Sequence, residues 1–192
     1  MAKAIGQDGT QRPETGWQNV KLPDQWDKRK FYYTGSTWYK IVWDYQCPTT
    51  TKTPITIVIS YINMTGQVFI NNDLLWQDQS LVEPLSRSWN MPRYWNLPVS
   101  SLKQGENILW VRVVGVKSQN SGLGQVLVGN ADQVRPKFQM FWKQQRVLVF
   151  LNLITSLTLG VIAFLVWIFH RKDQLFGWFT LETLTWSMVL FY

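Results

Sequence analysis

Strand signals recur through the first 130 residues, and in two stretches the side chains divide by alternation between two faces. In residues 38–45 (WYKIVWDY), Tyr39, Ile41, Trp43 and Tyr45 share one side, and Trp38, Lys40, Val42 and Asp44 share the other. The fully apolar side is expected to face a core. Residues 55–62 (ITIVISYI) are β-branched and alternate again, with Ile55, Ile57, Ile59 and Tyr61 on one side. Pro48 and Pro54 bracket the connection between these two predicted strands. Residues 68–70 and 74–76 flank Asn71, Asn72 and Asp73, which tolerate the positive φ of a tight hairpin turn. Residues 107–116 (NILWVRVVGV) form the longest predicted strand, apolar on both sides except for Arg112. A shorter strand is expected over 125–128. Residues 78–101 form a long loop holding Pro84, Pro92 and Pro98. Many short strands divided by turn signals predict an all-β sandwich, and helical periodicity begins only near residue 132.

Beyond that point the pattern changes. Residues 132–146 mix Arg135, Lys137, Lys143 and Arg146 with Phe138, Met140, Phe141 and Trp142, as expected of a juxtamembrane connector with an aromatic belt. Residues 147–169 carry no charge and suffice for a transmembrane helix, which needs about 20 apolar residues. Residues 170–174 form a short polar loop. Residues 175–192 are apolar except for Glu182 and predict a second, incomplete span, antiparallel to the first. Residues 1–16 hold no apolar run, so they are expected as a flexible lead-in and not a signal peptide. The soluble domain is thus expected over 17–131.

Composition narrows the chemistry. The chain has 192 residues, 12 of them Trp, and a formal charge of +7. Its Lys and Arg residues are scattered, whereas nucleic-acid binding requires a basic patch or stripe, so that partner is excluded. Weak attraction to an anionic glycan or lipid headgroup remains compatible with the charge. Cys47 and His170 are each the only residue of their kind. That excludes an intrachain disulfide, a Cys- or His-based metal centre and a histidine general base within the soluble domain. No cofactor is expected. Glycoside hydrolysis needs two acids across a cleft; Glu83 and Glu106 are the only glutamates of the strand region, and Glu106 falls in a Gly-Glu-Asn turn, whose ordinary role is to end a loop and begin a strand. No catalytic residue is assigned.

Binding has better candidates. Arg87, Trp89, Asn90, Arg93, Tyr94 and Trp95 cluster in the long loop. Flat aromatic faces and forked guanidinium donors suit a carbohydrate or other small polar ligand. The competing reading is that Trp89, Tyr94 and Trp95 cover an edge of the sandwich. Trp17 and Trp26 are expected as core anchors. Trp38, on the non-core side of its strand, and Arg112, which must find an acceptor or solvent, complete the ligand-binding set. Arg135, Trp142 and the intramembrane Glu182 are candidates for coupling to the membrane helices.

Four stretches taken in order resemble one family: residues 17–26 (WQNVKLPDQW), 35–39 (GSTWY), 66–74 (GQVFINNDL) and 96–113 (NLPVSSLKQGENILWVRV). They are similar to the jelly-roll sugar-binding domain at the front of family 2 glycoside hydrolases. Asn71-Asn72-Asp73 stands where that family usually has an Asn-Gly turn. Residues 122–136 (GLGQVLVGNADQVRP) then lead into the membrane helix. Residues 170–186 (HRKDQLFGWFTLETLTW) resemble the first loop and second helix of bacterial seven-helix receptors with diverse intracellular signalling modules.

The resemblance implies a galactose-binding-like jelly roll outside the cytoplasmic membrane, in the periplasm or beyond, followed by transmembrane helices. It implies a signal-transduction receptor of the histidine kinase (two-component) or diguanylate cyclase type, working as a homodimer, with its output domain beyond this chain. The chain itself is not expected to be an enzyme. The positive-inside count points the other way, since four basic residues precede the first span against Arg171 and Lys172 after it. The alternative function is a membrane-anchored carbohydrate-binding or assembly module without signalling output. A third reading, a membrane-bound enzyme, would place the catalytic part elsewhere.

Overall fold

The computed structural model describes residues 2–5, 11–29, 33–46 and 54–191. Cys47 and Pro48 lie outside them. The chain divides into two compact units, Met1–Phe141 and Trp142–Tyr192.

The first unit is a two-layer antiparallel β-sandwich. One layer is a six-stranded sheet built on two eleven-residue strands, β4 (Gly35–Tyr45) and β10 (Gly105–Gly115), paired along their whole length. Strands β1 (Ala2–Ile5) and β2 (Gln18–Asn19) extend it beyond β4, and β7 (Thr65–Ile70) and β8 (Asp73–Gln77) extend it beyond β10. The lead-in expected over residues 1–16 therefore contributes a strand. Its backbone covers the free edge of β4, whose unpaired N–H and C=O groups need partners, and no local alternation announces that role.

The facing layer is split into two three-stranded groups. β3 (Asp24–Gln25), β11 (Gly122–Leu123) and β6 (Ile62–Asn63) form one group; β12 (Val126–Asn130), β5 (Ile55–Ile59) and β9 (Arg93–Asn96) form the other. The two groups are joined where the Ser60 N–H donates to the Gln125 carbonyl at 2.9 Å and the Gly124 N–H donates to the Tyr61 carbonyl at 2.9 Å. The irregularity between β5 and β6 ends the alternation expected over 55–62 at Ile59.

The core lies between the layers. Tyr39, Val68, Ile70, Leu109, Val111 and Val113 project from the six-stranded sheet onto Trp26, Ile55, Ile57, Ile59, Ile62, Leu97 and Leu123. Ile41, Trp43 and Tyr45 pack on the same cluster, so the apolar side read from β4 is the inner one. Each such side chain fully removed from water stabilises the fold by about 1.5–3 kcal/mol. One polar chain crosses this core: the Trp26 indole donates to the Tyr39 hydroxyl at 2.9 Å, which donates to Asp24 at 2.7 Å. The hairpin turn falls where the sequence predicts it, with Asn71 at a φ of 53°.

Strand β5 is buried on both faces. Its outer residue Val58 lies under helix α1 (Ala131–Trp142), against Val134 and Phe141, with Phe138, Tyr94 and Leu127 packed around them. Much of the stretch expected as a membrane-surface connector thus closes the outer side of the β12-β5-β9 group. Alternation within β5 shows which residues face the core, but not that a helix seals the opposite side.

The second unit is a helical hairpin. A π-helical turn over Lys143–Val147 precedes α2 (Leu148–Phe169), and α3 (Gln174–Phe191) returns along it. Among the described residues one helix, Ala131–Phe169, is long and apolar enough to cross a membrane. A second such helix was expected over 175–192. α3 occupies that stretch, but Gln174, Glu182, Thr180, Thr183, Thr185 and Ser187 dilute its apolar character. The seam of the hairpin is small and hydroxylated. Gly160 faces Thr183 so closely that no side chain fits between them, and the Thr180 hydroxyl reaches the Gly160 carbonyl at 3.4 Å. Close backbone approach of this kind is typical of helices that pack within lipid.

Candidate ligand-binding site

The stretch expected as one long loop contains strand β9, so three of the eight sequence-predicted ligand residues, Arg87, Trp89 and Asn90, lie in the loop between β8 and β9, and three more, Arg93, Tyr94 and Trp95, lie on β9 itself. The two ends of the loop are tied together by a buried ion pair. Arg93 NH2 lies 3.4 Å from Asp78 Oδ1, with both side chains almost fully buried. The other Asp78 oxygen accepts the Gly66 backbone N–H at 2.8 Å. Ser88 bridges the pair, donating to Asp78 Oδ1 at 2.8 Å and accepting from Arg93 NH2 at 2.7 Å. Arg93 NH1 donates to the Met91 carbonyl at 3.2 Å, and the guanidinium lies 4.3 Å from the Trp76 ring centre. Burial lowers the guanidinium pKa from its usual value, while the Asp78 charge and hydrogen bond oppose that shift. Inside the loop, the Thr65 hydroxyl holds the Ser80 carbonyl at 2.9 Å and Ser86 Oγ accepts the Ser80 N–H at 2.9 Å.

Arg93 is therefore the loop's anchor. Its β9 neighbours are also engaged: the Tyr94 ring lies 5.1 Å from Phe138, and Trp95 packs on the core 5.8 Å from Trp76. Of the six candidates from this stretch, Arg87 and Trp89 remain exposed and Asn90 is half-buried. Trp89 is 54% exposed, next to the exposed Met91. A loop fixed at both ends presents this indole without losing much conformational freedom on binding.

Trp38 and Arg112 lie elsewhere, as cross-strand partners on the outer side of the six-stranded sheet. Arg112 donates from Nε to Ser36 Oγ at 3.0 Å and from NH1 to Gln67 Oε1 at 3.0 Å. Trp38 sits 5.7 Å from Phe69 and 6.5 Å from Trp110, and Trp17 stacks 5.6 Å from Trp110. Trp17, expected as a core anchor, thus belongs to this outer cluster. Arg12 lies over both Phe69 (5.0 Å) and Trp110 (5.2 Å) and donates to Asn72 Oδ1 at 3.0 Å. Burial lowers the pKa of this guanidinium. Trp38 is only 1% exposed and so is closed off from a ligand, whereas Arg12, Trp17, Phe69 and Trp110 around it are half-buried. Sequence reasoning missed Arg12, Phe69 and Trp110 as a group. The available signal was that Trp110 alternates with the core residues Leu109 and Val111 and shares a side with Arg112.

The coupling candidates are spread over both units. Arg135 is exposed on α1. Trp142 is exposed, with the Arg146 guanidinium 5.8 Å from its ring centre. Glu182 lines an apolar groove along the α2–α3 hairpin. No group of His, Cys, Asp and Glu among the described residues is arranged to hold a metal ion.

No protein-family model matches the chain, and no curated protein matches it. Solved structures do. A Faecalibacterium prausnitzii β-glucuronidase matches over 59% of this chain and 19% of its own, at 16% identity and a TM-score of 0.46. A calcium-binding mutant of Bacteroides uniformis β-glucuronidase 2 matches over 66% and 16%, at 15% identity and a TM-score of 0.49. A glycosyl hydrolase family 2 member from Bacteroides cellulosilyticus matches over 67% and 20%, at 16% identity and a TM-score of 0.47. The likeness thus spans a fifth or less of each of these proteins.

Proposed function

We propose that this chain is a membrane-anchored ligand-recognition module, with a jelly-roll sandwich outside the cytoplasm and the α2–α3 hairpin as its anchor. The ligand class is carbohydrate, taken up by stacking on Trp89 with hydrogen bonds from Arg87 and Asn90. The observation that carries this reading is the exposed Trp89 indole in a loop locked at both ends by Asp78 and Arg93. Rigid, amphipathic aromatic faces give large contact area at low entropic cost. The anchor is supported by the apolar side chains exposed along the charge-free α2, among them Phe150, Ile154 and Leu165, and by Phe179, Leu181 and Trp186 exposed on α3. A helix apolar all round belongs in lipid or a large protein interior.

The test is titration of the full chain in lipid nanodiscs with a panel of neutral and acidic oligosaccharides, read by tryptophan fluorescence and calorimetry. Binding by one class, weakened about tenfold or more in Trp89→Ala, supports the reading. Equal affinity of wild type and Trp89→Ala refutes the assigned site, and no binding across the panel refutes the ligand class.

A second reading, in which binding is relayed across the membrane to an output domain, has its own support. Residues of α1 that pack in the sandwich, Val134 and Phe141, belong to the same 39-residue helix as the apolar span. A ligand that shifts the packing of α1 would bias the state of that helix as a population shift. Hydrogen exchange of α1 measured with and without saturating ligand tests this, and unchanged protection would leave a tethered binding module.

A further inference from the structure

The α2–α3 hairpin carries one ionisable side chain within its two helices, Glu182, since neither helix holds another charged residue or a histidine. Its depth follows from the register of the hairpin. The adjacent Thr183 sits against Gly160, near the middle of the 22-residue α2. At a rise of 1.5 Å per residue Gly160 is roughly 14 Å from the end of α2, about half the thickness of a bilayer's hydrocarbon core. Glu182 is turned away from the seam that Gly177, Thr180, Thr183 and Ser187 fill. It lines an open groove of about 500 Å3 with Leu159, Ile162, Ala163, Val166 and Phe179. Among the described residues its carboxylate forms no ion pair.

An unpaired carboxylate at this depth is costly, and ionisable groups within membrane segments characteristically pair with a group on a neighbouring helix. We propose that this groove docks a transmembrane helix of a partner protein that presents one Lys or Arg at mid-span, paired with Glu182. The inference rests on the membrane reading proposed above. Charge complementarity selects the occupant. A second copy of this hairpin would bring hydroxyls, indole N–H groups, Asn152, a glutamine or another Glu182, and no cation within its helices. A lipid acyl chain would fill the apolar walls and leave the carboxylate unpaired. The apolar walls of the groove accept a helix, and Glu182 sets which helix it is.

The full chain is reconstituted in phosphatidylcholine vesicles with a donor fluorophore. It is titrated with acceptor-labelled synthetic polyleucine helices that carry Lys, Leu or Glu at the central position. The Lys helix should associate about tenfold more tightly than the Leu helix, in the range measured for polar contacts between membrane helices. Glu182→Gln should abolish that preference, and Glu182→Asp should retain it. Equal association of the Lys and Leu helices, or a preference that survives Glu182→Gln, overturns the proposal. So does self-association of the chain that the Lys helix fails to displace. Insertion is checked separately by resistance to carbonate extraction. An extractable chain refutes the membrane reading itself, whereas an inserted chain without preference refutes only the docking proposal.

Discussion

Replacing Arg93 by Met separates a loop anchor from a ligand contact. Met keeps an apolar stem against Trp76 but removes the guanidinium from Asp78, Ser88 and Met91. Removing one partner of a buried pair costs about 3–5 kcal/mol, because the other charge stays desolvated. Asp78 keeps two donors, the Gly66 N–H and the Ser88 hydroxyl, which places Arg93→Met near the low end, at about 3 kcal/mol. Asp78→Asn leaves the Arg93 charge buried with only Ser88 and the Met91 carbonyl as acceptors beside the new amide, and by the same rule should also cost about 3 kcal/mol. In the double variant no buried charge remains, so its cost should be smaller than the sum of the singles by about 1.5–2 kcal/mol. The assay is thermal unfolding of the full chain in detergent micelles by near-ultraviolet circular dichroism. A loss of 3 kcal/mol corresponds to a midpoint lowered by roughly 10 °C for a domain of this size. Singles that add within about 0.5 kcal/mol would show that the two residues are uncoupled. That result would return Arg93 to the pool of ligand contacts.

Three further outcomes follow from the geometry. Trp89→Ala should leave the same unfolding midpoint within the range of about 0.5 kcal/mol usual for surface changes, while saccharide binding falls; a large stability loss would show that the indole is packed. Gly160→Val should drive a side chain into Thr183 and weaken the hairpin by about 1–3 kcal/mol, seen as increased distance between labels on α2 and α3, and Thr183→Ala added in the second step should recover part of the loss. Burial, and then the Asp24 and Asp27 charges, raise the Tyr61 pKa above its usual 10.0, against a lowering hydrogen bond from Gln25. The unfolded chain therefore loses this proton first, so stability should fall as the pH rises through about 10. Tyr61→Phe should remove a late-titrating phenol from the absorbance titration at alkaline pH, and an unchanged titration would refute the assignment.

The sequence by itself determined the elements whose physics is local. Period-two alternation identified the inner side of β4 and the strand at β5, because each side chain in a strand chooses between two faces. Asn71 marked its turn, because few residues accept a positive φ. The charge-free run ending at Phe169 marked the apolar helix, because length and composition suffice. What depended on partners distant in the chain was decided by the tertiary structure. Arg93 and Trp89 look alike in the sequence, as polar and aromatic residues of one loop. Asp78, fifteen positions before Arg93, takes one into the interior and leaves the other exposed. Trp17 and Trp26 are equally apolar, but one meets Trp110 on the outer face and the other meets Tyr39 in the core. Ala2–Ile5 gains its place from the open edge of β4, and α1 gains its place from Val58 beneath it. Local patterning states what a residue prefers; which partner satisfies that preference is settled only when distant segments compete for the same surface.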